Sequence, residues 1–185
     1  MSKPFAIVFA GVPGSSKSII AYYLSGKFGI PIFSNDGLRY EVKEDLLINN
    51  LILKEDLLAE GINAPKALAE YEKRLSQRRE ELLGTGRPII FDGSIDRRWA
   101  EAREQLLKHQ YSWFMISINL SREFLENLFS ATNRAAFIPK LDKYFGQHER
   151  FLEKYGHEVS IEINDKSFKD RLKVSAEALQ NFIDK

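Results

Sequence analysis

The feature of this sequence that most restricts its fold is a short apolar run that ends in a glycine-rich turn and leads into a helical pattern. The apolar run covers residues 4–10, and the turn reads Gly11-Val-Pro-Gly14. A continuous run of β-forming apolar residues is typical of a strand buried on both faces. Apolar residues then recur at helical spacing as far as Phe28, where Gly29 and Pro31 predict the end of the helix.

The same alternation of strand and helix patterns continues along the chain. Apolar runs that predict strands cover residues 4–10, 31–33, 88–91, 113–118 and 159–163. Helical patterns cover residues 17–28, 98–109, 122–133 and 168–183. This alternation predicts an α/β fold in which a five-stranded, mostly parallel sheet with right-handed crossovers is covered by helices on both faces.

Two further helical stretches interrupt this alternation. Residues 37–83 are broken at 61–65 and predict a helical hairpin, with Pro65 in the first turn of its second helix. The inner stripe of that helix is predicted to be Leu68, Tyr71, Leu75 and Leu82. Residues 46–53 form either one helix or two, and the sequence does not distinguish the two arrangements. The other stretch, residues 135–156, has an apolar face made of Leu141, Tyr144, Phe145, His148, Leu152 and Tyr155.

The length of 185 residues predicts one domain, residues 1–185.

Composition excludes several classes of protein. A chain with 44% hydrophobic and 29% charged residues is neither disordered nor collagen-like. The formal net charge of +1 does not indicate a general binder of nucleic acids or anionic membranes, although a local basic site remains open. The absence of cysteine excludes disulfides, zinc–thiolate sites, iron–sulfur clusters and a thiol nucleophile. With no apolar run long enough for a membrane span, we expect a cytoplasmic protein with no membrane partner.

The turn after the first strand contains most of a phosphate-binding motif. It matches the pattern Gly-x-x-x-x-Gly-Lys-Ser at Gly11, Lys17 and Ser18, but Ser16 stands where the second glycine belongs. The match lies between a buried strand and a helix start, where backbone N–H groups and the helix dipole attract an anion. The residues predicted to bind a nucleotide are Gly11, Pro13, Gly14, Ser15, Ser16, Lys17 and Ser18.

Three of these residues have predicted individual roles. Lys17 is expected to reach the β- and γ-phosphates, Ser18 to offer its hydroxyl to Mg²⁺, and Gly14 to supply left-handed backbone. One alternative is an ordinary turn in which Ser15 or Ser16 caps the helix. Another is that the Ser16 side chain crowds the phosphate and weakens nucleotide affinity.

Two acidic positions follow the second and third strands. Asp36 and Arg39 lie one helical turn apart, so Asp36 can accept a hydroxyl proton while Arg39 orients it or holds an anionic group. The alternative is that Asp36 is a helix cap in a surface ion pair. Asp92 ends the third strand and is expected to hold Mg²⁺; the alternative is a cap for the helix entered through Asp96.

Several cations are candidates for stabilising a transferred phosphoryl group. Arg134 stands at the end of the helix predicted after the fourth strand and enters a segment, residues 134–156, that is expected to act as a lid. A cation near a helix C-terminus is equally well explained by the helix dipole. Lys140 and Lys143 compete for the same role. Arg97 and Arg98 either face an acceptor site or are simply solvated.

Other chemistries have little support in the sequence. The three histidines are scattered, without a pair at helical spacing, so a zinc site is not indicated. The Gly-x-Gly-x-x-Gly fingerprint of dinucleotide binding and the Gly-x-Ser-x-Gly elbow are absent. A Ser-His-Asp triad has no local support.

Taken together, the loop from Gly11 to Ser18, the segment Ser34-Asn-Asp-Gly-Leu-Arg39 and the strand ending at Asp92 resemble the small phosphate-loop kinases around polynucleotide kinase and zeta toxin. The resemblance implies a five-stranded parallel sheet with a lid, ATP and Mg²⁺ as cofactors, and Asp36 as the acid that activates a hydroxyl acceptor. It does not name the acceptor, which is a small molecule or a nucleic-acid end; long nucleic acid is not expected.

The resemblance also implies arginines in the lid, and here the sequence departs from the pattern. Only Arg134 stands where such an arginine is expected, and Asn127 falls where another cation belongs. Ser16 in the phosphate loop makes a nucleotide-binding regulatory module an alternative to a kinase, and a plain NTPase is a further alternative. The Asn-Lys-x-Asp segment typical of GTP-specific switches is absent, which favours ATP as the nucleotide.

Overall fold

The computed structural model describes residues 3–52, 54 and 60–185. The chain divides into two compact units. The sheet unit contains the chain up to Phe33 together with Pro88–Lys185, and the helical unit is Ser34–Arg87. The helical unit coincides closely with the stretch 37–83 that the sequence predicts as a helical insertion.

A five-stranded parallel sheet forms the centre of the fold, as the sequence predicts. Its strands are β1 Phe5–Gly11, β2 Ile32–Ser34, β3 Ile89–Ser94, β4 Ser112–Ile118 and β5 Ile161–Ile163. They lie in the order β2-β3-β1-β4-β5, so β1 and its following turn are central. β1 pairs with β4 without interruption, from Phe5 opposite Ser112 to Gly11 opposite Ile118.

Pairing between β1 and β3 is irregular near the end of both strands. Ile7 lies opposite Ile90, but Phe9 lies opposite Ser94, so β3 has extra residues between the two pairs. This irregularity contains Asp92, and Gly93 within it has a φ of +149°. The third strand therefore runs to Ser94, two residues beyond Asp92, where the sequence predicts its end.

Helices connect the strands at close to the predicted positions. They are α1 Lys17–Phe28, α2 Asn35–Ile48, α3 Pro65–Leu83, α4 Trp99–Lys108, α5 Arg122–Ala131, α6 Leu141–Tyr155 and α7 Phe168–Ile183. Short 3₁₀ turns cover Gly61–Asn63, Ala135–Lys140 and Gly156–Glu158. Within the described ranges, none of these helices has the length and apolar character needed to cross a membrane.

The hydrophobic core of the sheet unit surrounds β1. Residues 6–12 are all buried, which confirms the prediction of a strand covered on both faces. Apolar residues of α1, α5 and α7, including Leu24, Phe129 and Leu179, pack in the same cluster. Leu141 brings the start of α6 into this core. The turn after β1 therefore follows directly from the buried core.

In the helical unit, α2 and α3 each bury one apolar stripe. Leu38, Val42 and Leu46 are buried in α2, at four-residue spacing. In α3 the prediction is correct for Tyr71 and Leu75, but Leu68 and Leu82 are only half-buried and Ala67 and Leu83 are buried instead. α2 ends at Ile48, and Leu53, at the end of the segment left open as one helix or two, lies outside the described residues.

Candidate active site

Residues 11–18 link β1 to α1 in a tight loop, the phosphate loop. Its backbone is left-handed at three positions, with φ of +130° at Gly11, +86° at Gly14 and +74° at Ser16. The prediction for Gly14 is confirmed. Ser16 adopts, with a side chain, the conformation that glycine adopts without strain. The backbone at position 16 is therefore left-handed although the motif's second glycine is absent.

The N-terminus of α1 has no side-chain cap. Ser16 is the N-cap residue, but its hydroxyl accepts no capping hydrogen bond, and the first turn contains no acidic residue. Ser16 therefore occupies the cap position, as the alternative prediction has it, but its side chain caps no backbone N–H group. The first N–H groups of a helix have no partner within the helix. At α1 these groups and the positive end of the helix dipole are available to an anion.

The Lys17 side chain is folded back onto the phosphate loop. Its Nζ donates to the carbonyl oxygens of Gly11 and Val12, at 2.6 and 2.7 Å, and to Ser15 Oγ at 3.3 Å. Only 8% of the residue is exposed. Burial lowers the pKa of Lys17 from 10.5 to about 8, against the opposing charges of Asp96 and Asp92. A buried ammonium group thus lies at the start of α1, among acceptors that an incoming anion can replace.

Arg171 of α7 supports the outer side of the loop. The residue is buried, and its Nη1 donates to the carbonyl oxygen of Ser15 at 3.4 Å. Its guanidinium lies over the rings of Phe124 and Phe168, with distances to the ring centroids of 5.5 and 5.7 Å. Burial lowers the pKa of Arg171 below its ordinary value, while Asp165 acts in the opposite direction. Sequence reasoning missed this residue because nothing in its local pattern distinguishes it from other helical arginines.

Asp92 is a buried acid within β3. It is 6% exposed and lies in the irregular part of the β1–β3 pairing. The alternative prediction, a cap for the following helix, is wrong because α4 begins only at Trp99 and its N-cap residue is Arg98. Its negative charge raises the pKa of Lys17, against the larger lowering that burial causes.

Asp96 contacts the phosphate loop directly. Its Oδ1 accepts hydrogen bonds from the Gly11 N–H at 3.1 Å and from Ser94 Oγ at 2.8 Å, and its Oδ2 lies 3.0 Å from His148 Nδ1. Burial raises the pKa of Asp96, but the hydrogen bond and charge of His148 and the bonds from Ser94 and Gly11 bring it below the ordinary 3.8. From the sequence, Asp96 is predicted only to be the entry to a helix.

His148 lies on α6 and is 5% exposed. Its Nε2 is 2.6 Å from Asn119 Oδ1 and 3.4 Å from Ser117 Oγ. Ser117, His148 and Asp96 are thus arranged like a hydrolytic triad. However, Ser117 is fully buried and its hydroxyl donates to Asn119 Oδ1 at 2.7 Å, so it has neither access to substrate nor a base that takes its proton.

A cavity of about 410 Å³ adjoins the phosphate loop at Val12. It is lined by the carboxyl ends of β4 and β5 and by α6, with Asn119, His148 and Asp165 among its polar side chains. Open α/β sheets bind ligands at this edge. Space for a small-molecule ligand is therefore present beside the loop.

In the helical unit, Asp36 and Arg39 form the predicted pair at the start of α2. Arg39 Nη1 donates to Asp36 Oδ1 at 2.9 Å, and the two side chains are 47% and 71% exposed. The Arg39 guanidinium also lies over the Tyr71 ring at 5.4 Å. The N-cap of α2 is Ser34, whose Oγ accepts from the Gly37 N–H, so the prediction that Asp36 is the cap is wrong. The surface ion pair is present.

Comparison with known proteins gives a result at the level of fold. No protein-family model matches the chain. No curated protein matches it either. Among solved structures, a gluconokinase from Sinorhizobium meliloti 1021 is 18% identical, with a TM-score of 0.57 over 98% of this chain and 95% of that one. A shikimate kinase from Acinetobacter baumannii is 13% identical, with a TM-score of 0.57 over 98% and 94%.

The APS kinase CysC of Mycobacterium tuberculosis, in complex with AMPPNP and APS, is 16% identical, with a TM-score of 0.54 over 96% of this chain and 98% of that one. The chain has the fold of a P-loop kinase. At these identities the likeness establishes the fold alone, and the closer grouping with polynucleotide kinase and zeta toxin stays a prediction.

The remaining predicted cations occupy varied positions in this P-loop kinase fold. Arg134 is exposed and begins the 3₁₀ turn Ala135–Lys140, three residues after α5 ends. Lys140 lies over the Phe137 ring at 5.9 Å. Arg97, in contrast, is not simply solvated, because its Nε and Nη2 donate to Gln147 Oε1 on α6 at 3.0 and 2.9 Å.

Only two of the predicted site residues, Ser18 and Asp92, are expected to be ligands of a metal ion. Ser18 is exposed in the first turn of α1, and Asp92 is the predicted acidic partner. Among the described residues, no group of three or more His, Cys, Asp or Glu side chains is arranged to hold a metal ion.

Proposed function

We propose that the chain is an ATP-dependent kinase that transfers the γ-phosphoryl group to a hydroxyl acceptor. The observation that carries this proposal is the buried Lys17 ammonium, held by the carbonyl oxygens of Gly11 and Val12 at the uncapped N-terminus of α1. A strand, a left-handed loop, a lysine and a helix start in this arrangement form a site for a polyphosphate.

The phosphate loop would bind the nucleotide through its backbone and through Lys17. Residues Gly11, Pro13, Gly14, Ser15, Ser16, Lys17 and Ser18 surround the phosphates in this proposal. Lys17 exchanges its two short carbonyl contacts for phosphate oxygens, which carry full negative charge and are stronger acceptors. The first N–H groups of α1 donate to the same anion.

Ser18 and Asp92 would hold Mg²⁺. A hydroxyl and a carboxylate are the hard oxygen donors that Mg²⁺ prefers, and this ion commonly uses only one or two protein carboxylates together with water and substrate phosphates. The small donor set of this site therefore fits Mg²⁺. When bound, Mg²⁺ neutralises charge on the phosphates.

Asp36 would act as the base for the acceptor hydroxyl, oriented by Arg39. Support comes from the Ser-x-Asp-x-x-Arg pattern and from the direct contact between the two side chains. A positioned carboxylate contributes about 10²–10⁴-fold to such a proton transfer. Arg134, exposed at the start of a 3₁₀ turn, would neutralise charge on the transferred group.

The proposed acceptor is a small hydroxyl compound. The structural neighbours that carry names of substrates are kinases of gluconate, shikimate and APS. A net charge of +1 does not favour tracking of a long phosphate backbone, which needs several aligned cations. Because of the resemblance to polynucleotide kinase, the 5′-hydroxyl end of a nucleic acid is also tested as an acceptor. We expect the protein to act in the cytoplasm.

Two experiments test the nucleotide site and the acceptor. Titration with Mg·ATP should give saturable binding for the wild type and loss of binding for Lys17→Ala. Transfer from labelled ATP is then screened across 5′-hydroxyl oligonucleotides, nucleosides, sugars and small alcohols. Retention of wild-type ATP affinity in Lys17→Ala contradicts the proposed site.

The role of Asp36 has its own test. Asp36→Asn should leave ATP affinity nearly unchanged and lower phosphoryl transfer by at least about a hundredfold, the usual loss for a positioned base. Glu44→Gln, an exposed acid on the same helix, serves as the matched control and should transfer normally. Normal transfer by Asp36→Asn means that the base is another group.

A nucleotide-binding regulatory module is the second candidate, and the left-handed Ser16 favours it. A side chain in the glycine position strains the loop, which is compatible with weak catalysis. Such a module binds ATP without consuming it whatever acceptor is offered. Hydrolysis that no acceptor diverts would instead indicate an ATPase.

A further inference from the structure

We propose that His148 is a positioning residue of the phosphate loop: as an imidazolium ion on α6 it neutralises the buried Asp96 carboxylate that holds the Gly11 amide. The ligand class concerned is a polyphosphate, so this inference rests on the proposed function. It concerns side chains to which the phosphate motif assigns no role. Its evidence is a continuous set of hydrogen bonds within the sheet unit.

The connection runs from β4 to the loop through four contacts. Asn119, directly after β4, accepts from His148 Nε2 at 2.6 Å, and His148 Nδ1 lies 3.0 Å from Asp96 Oδ2. The other carboxylate oxygen accepts from the Gly11 N–H at 3.1 Å. The Gly11 carbonyl oxygen in turn accepts from Lys17 Nζ at 2.6 Å. His148 and Lys17 therefore act on the two peptide groups flanking Gly11.

The geometry indicates that His148 carries a proton on both ring nitrogens. The partner of Nδ1 is a carboxylate oxygen, which only accepts. The partner of Nε2 is the Asn119 oxygen, and the amide orientation is fixed on both sides. Ser117 Oγ donates to that oxygen at 2.7 Å, and Asn119 Nδ2 donates to Glu162 Oε2 at 3.2 Å. Two acceptors facing the ring require two N–H donors.

The charge of this pair matters because it lies beside the expected anion site. The side chains of His148 and Asp96 are only 6% and 8% exposed, so water screens them poorly. An imidazolium–carboxylate pair has no net charge. With a neutral group at 148, the Asp96 carboxylate would oppose a bound polyphosphate and would compete with it for Lys17, whose pKa already responds to Asp96.

The same contact attaches α6 to the turn between β3 and α4. Arg97, next to Asp96, donates to Gln147, next to His148. The exposed Arg97–Gln147 contact and the buried Asp96–His148 contact lie side by side on the two elements. The packing of α6 against this turn therefore places the positive charge of His148 next to Asp96. Asp96 in turn orders the Gly11 peptide through its hydrogen bond to the Gly11 N–H.

The test separates charge from packing with one single and one double variant. His148→Gln keeps a polar side chain but removes the positive charge, so it should weaken binding of ATP and of inorganic tripolyphosphate by at least about tenfold. The KM for ATP should rise by the same factor, with kcat changed less than about twofold, since His148 is proposed to act only through Asp96 on the Gly11 peptide. Asp96→Asn combined with His148→Gln restores a neutral pair and should recover most of the affinity.

His157→Gln is the matched control, because His157 is 75% exposed near Glu158. It should bind both ligands like the wild type. If His148→Gln binds normally, or if the double variant binds no better than His148→Gln, the inference is overturned. A role in packing alone predicts additive losses of affinity in the double variant.

A spectroscopic measurement on the wild type covers the case in which His148→Gln does not fold. Nitrogen NMR of the imidazole rings should show His148 with protons on both nitrogens at neutral pH, and a neutral tautomer overturns the inference. If the wild type binds tripolyphosphate but transfers no phosphoryl group, the kinase proposal is wrong and the proposal for His148 is unaffected. If the wild type binds neither ATP nor tripolyphosphate, both the kinase proposal and the proposal for His148 are wrong.

Discussion

The Phe129 ring of α5 packs directly against the phosphate loop at Gly14. A Cβ atom at position 14 would overlap Phe129 Cε1 and would lie 2.7 Å from Cζ. Phe129 is 1% exposed and belongs to the core around β1. Position 14 therefore needs glycine for two reasons, because its φ of +86° is also left-handed.

We expect Gly14→Ala to lower the free energy of unfolding by about 2–3 kcal/mol, from backbone strain and overpacking together. Combining it with Phe129→Leu should reduce the additional cost of the alanine, because a smaller side chain faces the new methyl group. Urea denaturation of the two single variants and the double variant measures this coupling. Additive losses would mean that the ring contact does not limit position 14.

Gly26→Ala is the control for that substitution. Gly26 lies inside α1, and a Cβ there meets nothing within 4 Å. Alanine at an exposed helix interior should stabilise the protein by about 0.5–1 kcal/mol. A loss of stability here would show that α1 tolerates no added methyl group, and the interpretation of Gly14→Ala would then fail.

Ser16→Gly should both stabilise the protein and improve nucleotide binding. The left-handed conformation costs a residue with a side chain about 1–2 kcal/mol, part of which glycine loses again through the entropy of the unfolded chain. We expect a net gain of up to about 1 kcal/mol in unfolding free energy. Removal of the side chain from the loop should also lower the Kd for ATP in a calorimetric titration.

Gln110→Gly separates these two effects. Gln110 is exposed, has a φ of +61° and lies outside the phosphate loop. It should gain similar stability without any change in ATP affinity. If Ser16→Gly binds ATP no better than the wild type, the Ser16 side chain does not crowd the phosphate.

The fold and the loop were predictable because their signals are local. A buried strand, a left-handed glycine and a helix with Ile20, Ala21 and Leu24 on its inner face can each be read from a few consecutive residues. The strand order and the end of α2 at Ile48 needed the structure, since pairing between distant segments leaves little trace in one sequence.

Asp96 and His148 could not have been paired from the sequence. They are separated by 52 positions, and each has an ordinary local explanation, one as a helix entry and the other on an apolar helical face. Their contact depends on the register irregularity of β3, which moves Asp96 to the Gly11 amide, and on the docking of α6. A buried histidine opposite a carboxylate is recognised only once both surroundings are known.

The burial of Lys17 should make stability depend on pH above neutrality. Its pKa is about 8 in the folded protein and 10.5 in the unfolded chain, so the unfolded state binds more protons between these values. The unfolding free energy of the wild type, relative to Lys17→Met, should therefore rise as the pH increases from about 8 to 10.5. Urea titrations at several pH values measure this difference. Lys27→Met, exposed on the same helix, should show no such trend.

The lowered pKa of Asp96 should make the unfolding free energy depend on pH in the acid range. Its folded pKa lies below the ordinary 3.8, mainly because the hydrogen bond and charge of His148 outweigh the effect of burial. The stabilisation by Asp96 is therefore complete above the unfolded pKa and is lost as the pH falls below about 3.8. Asp96→Asn should be clearly less stable than the wild type at pH 6, and the two should converge at low pH.

Urea unfolding of both proteins from pH 3 to pH 7 follows this convergence. Asp184→Asn, an exposed acid near the end of the chain, should run parallel to the wild type over the whole range. Because Asp96 holds the Gly11 N–H, its protonation in acid should also release that amide, which hydrogen exchange detects as faster exchange at Gly11 than the intrinsic rate change with pH explains. A constant difference between wild type and Asp96→Asn down to pH 3 would mean that the carboxylate is not held by His148 in solution.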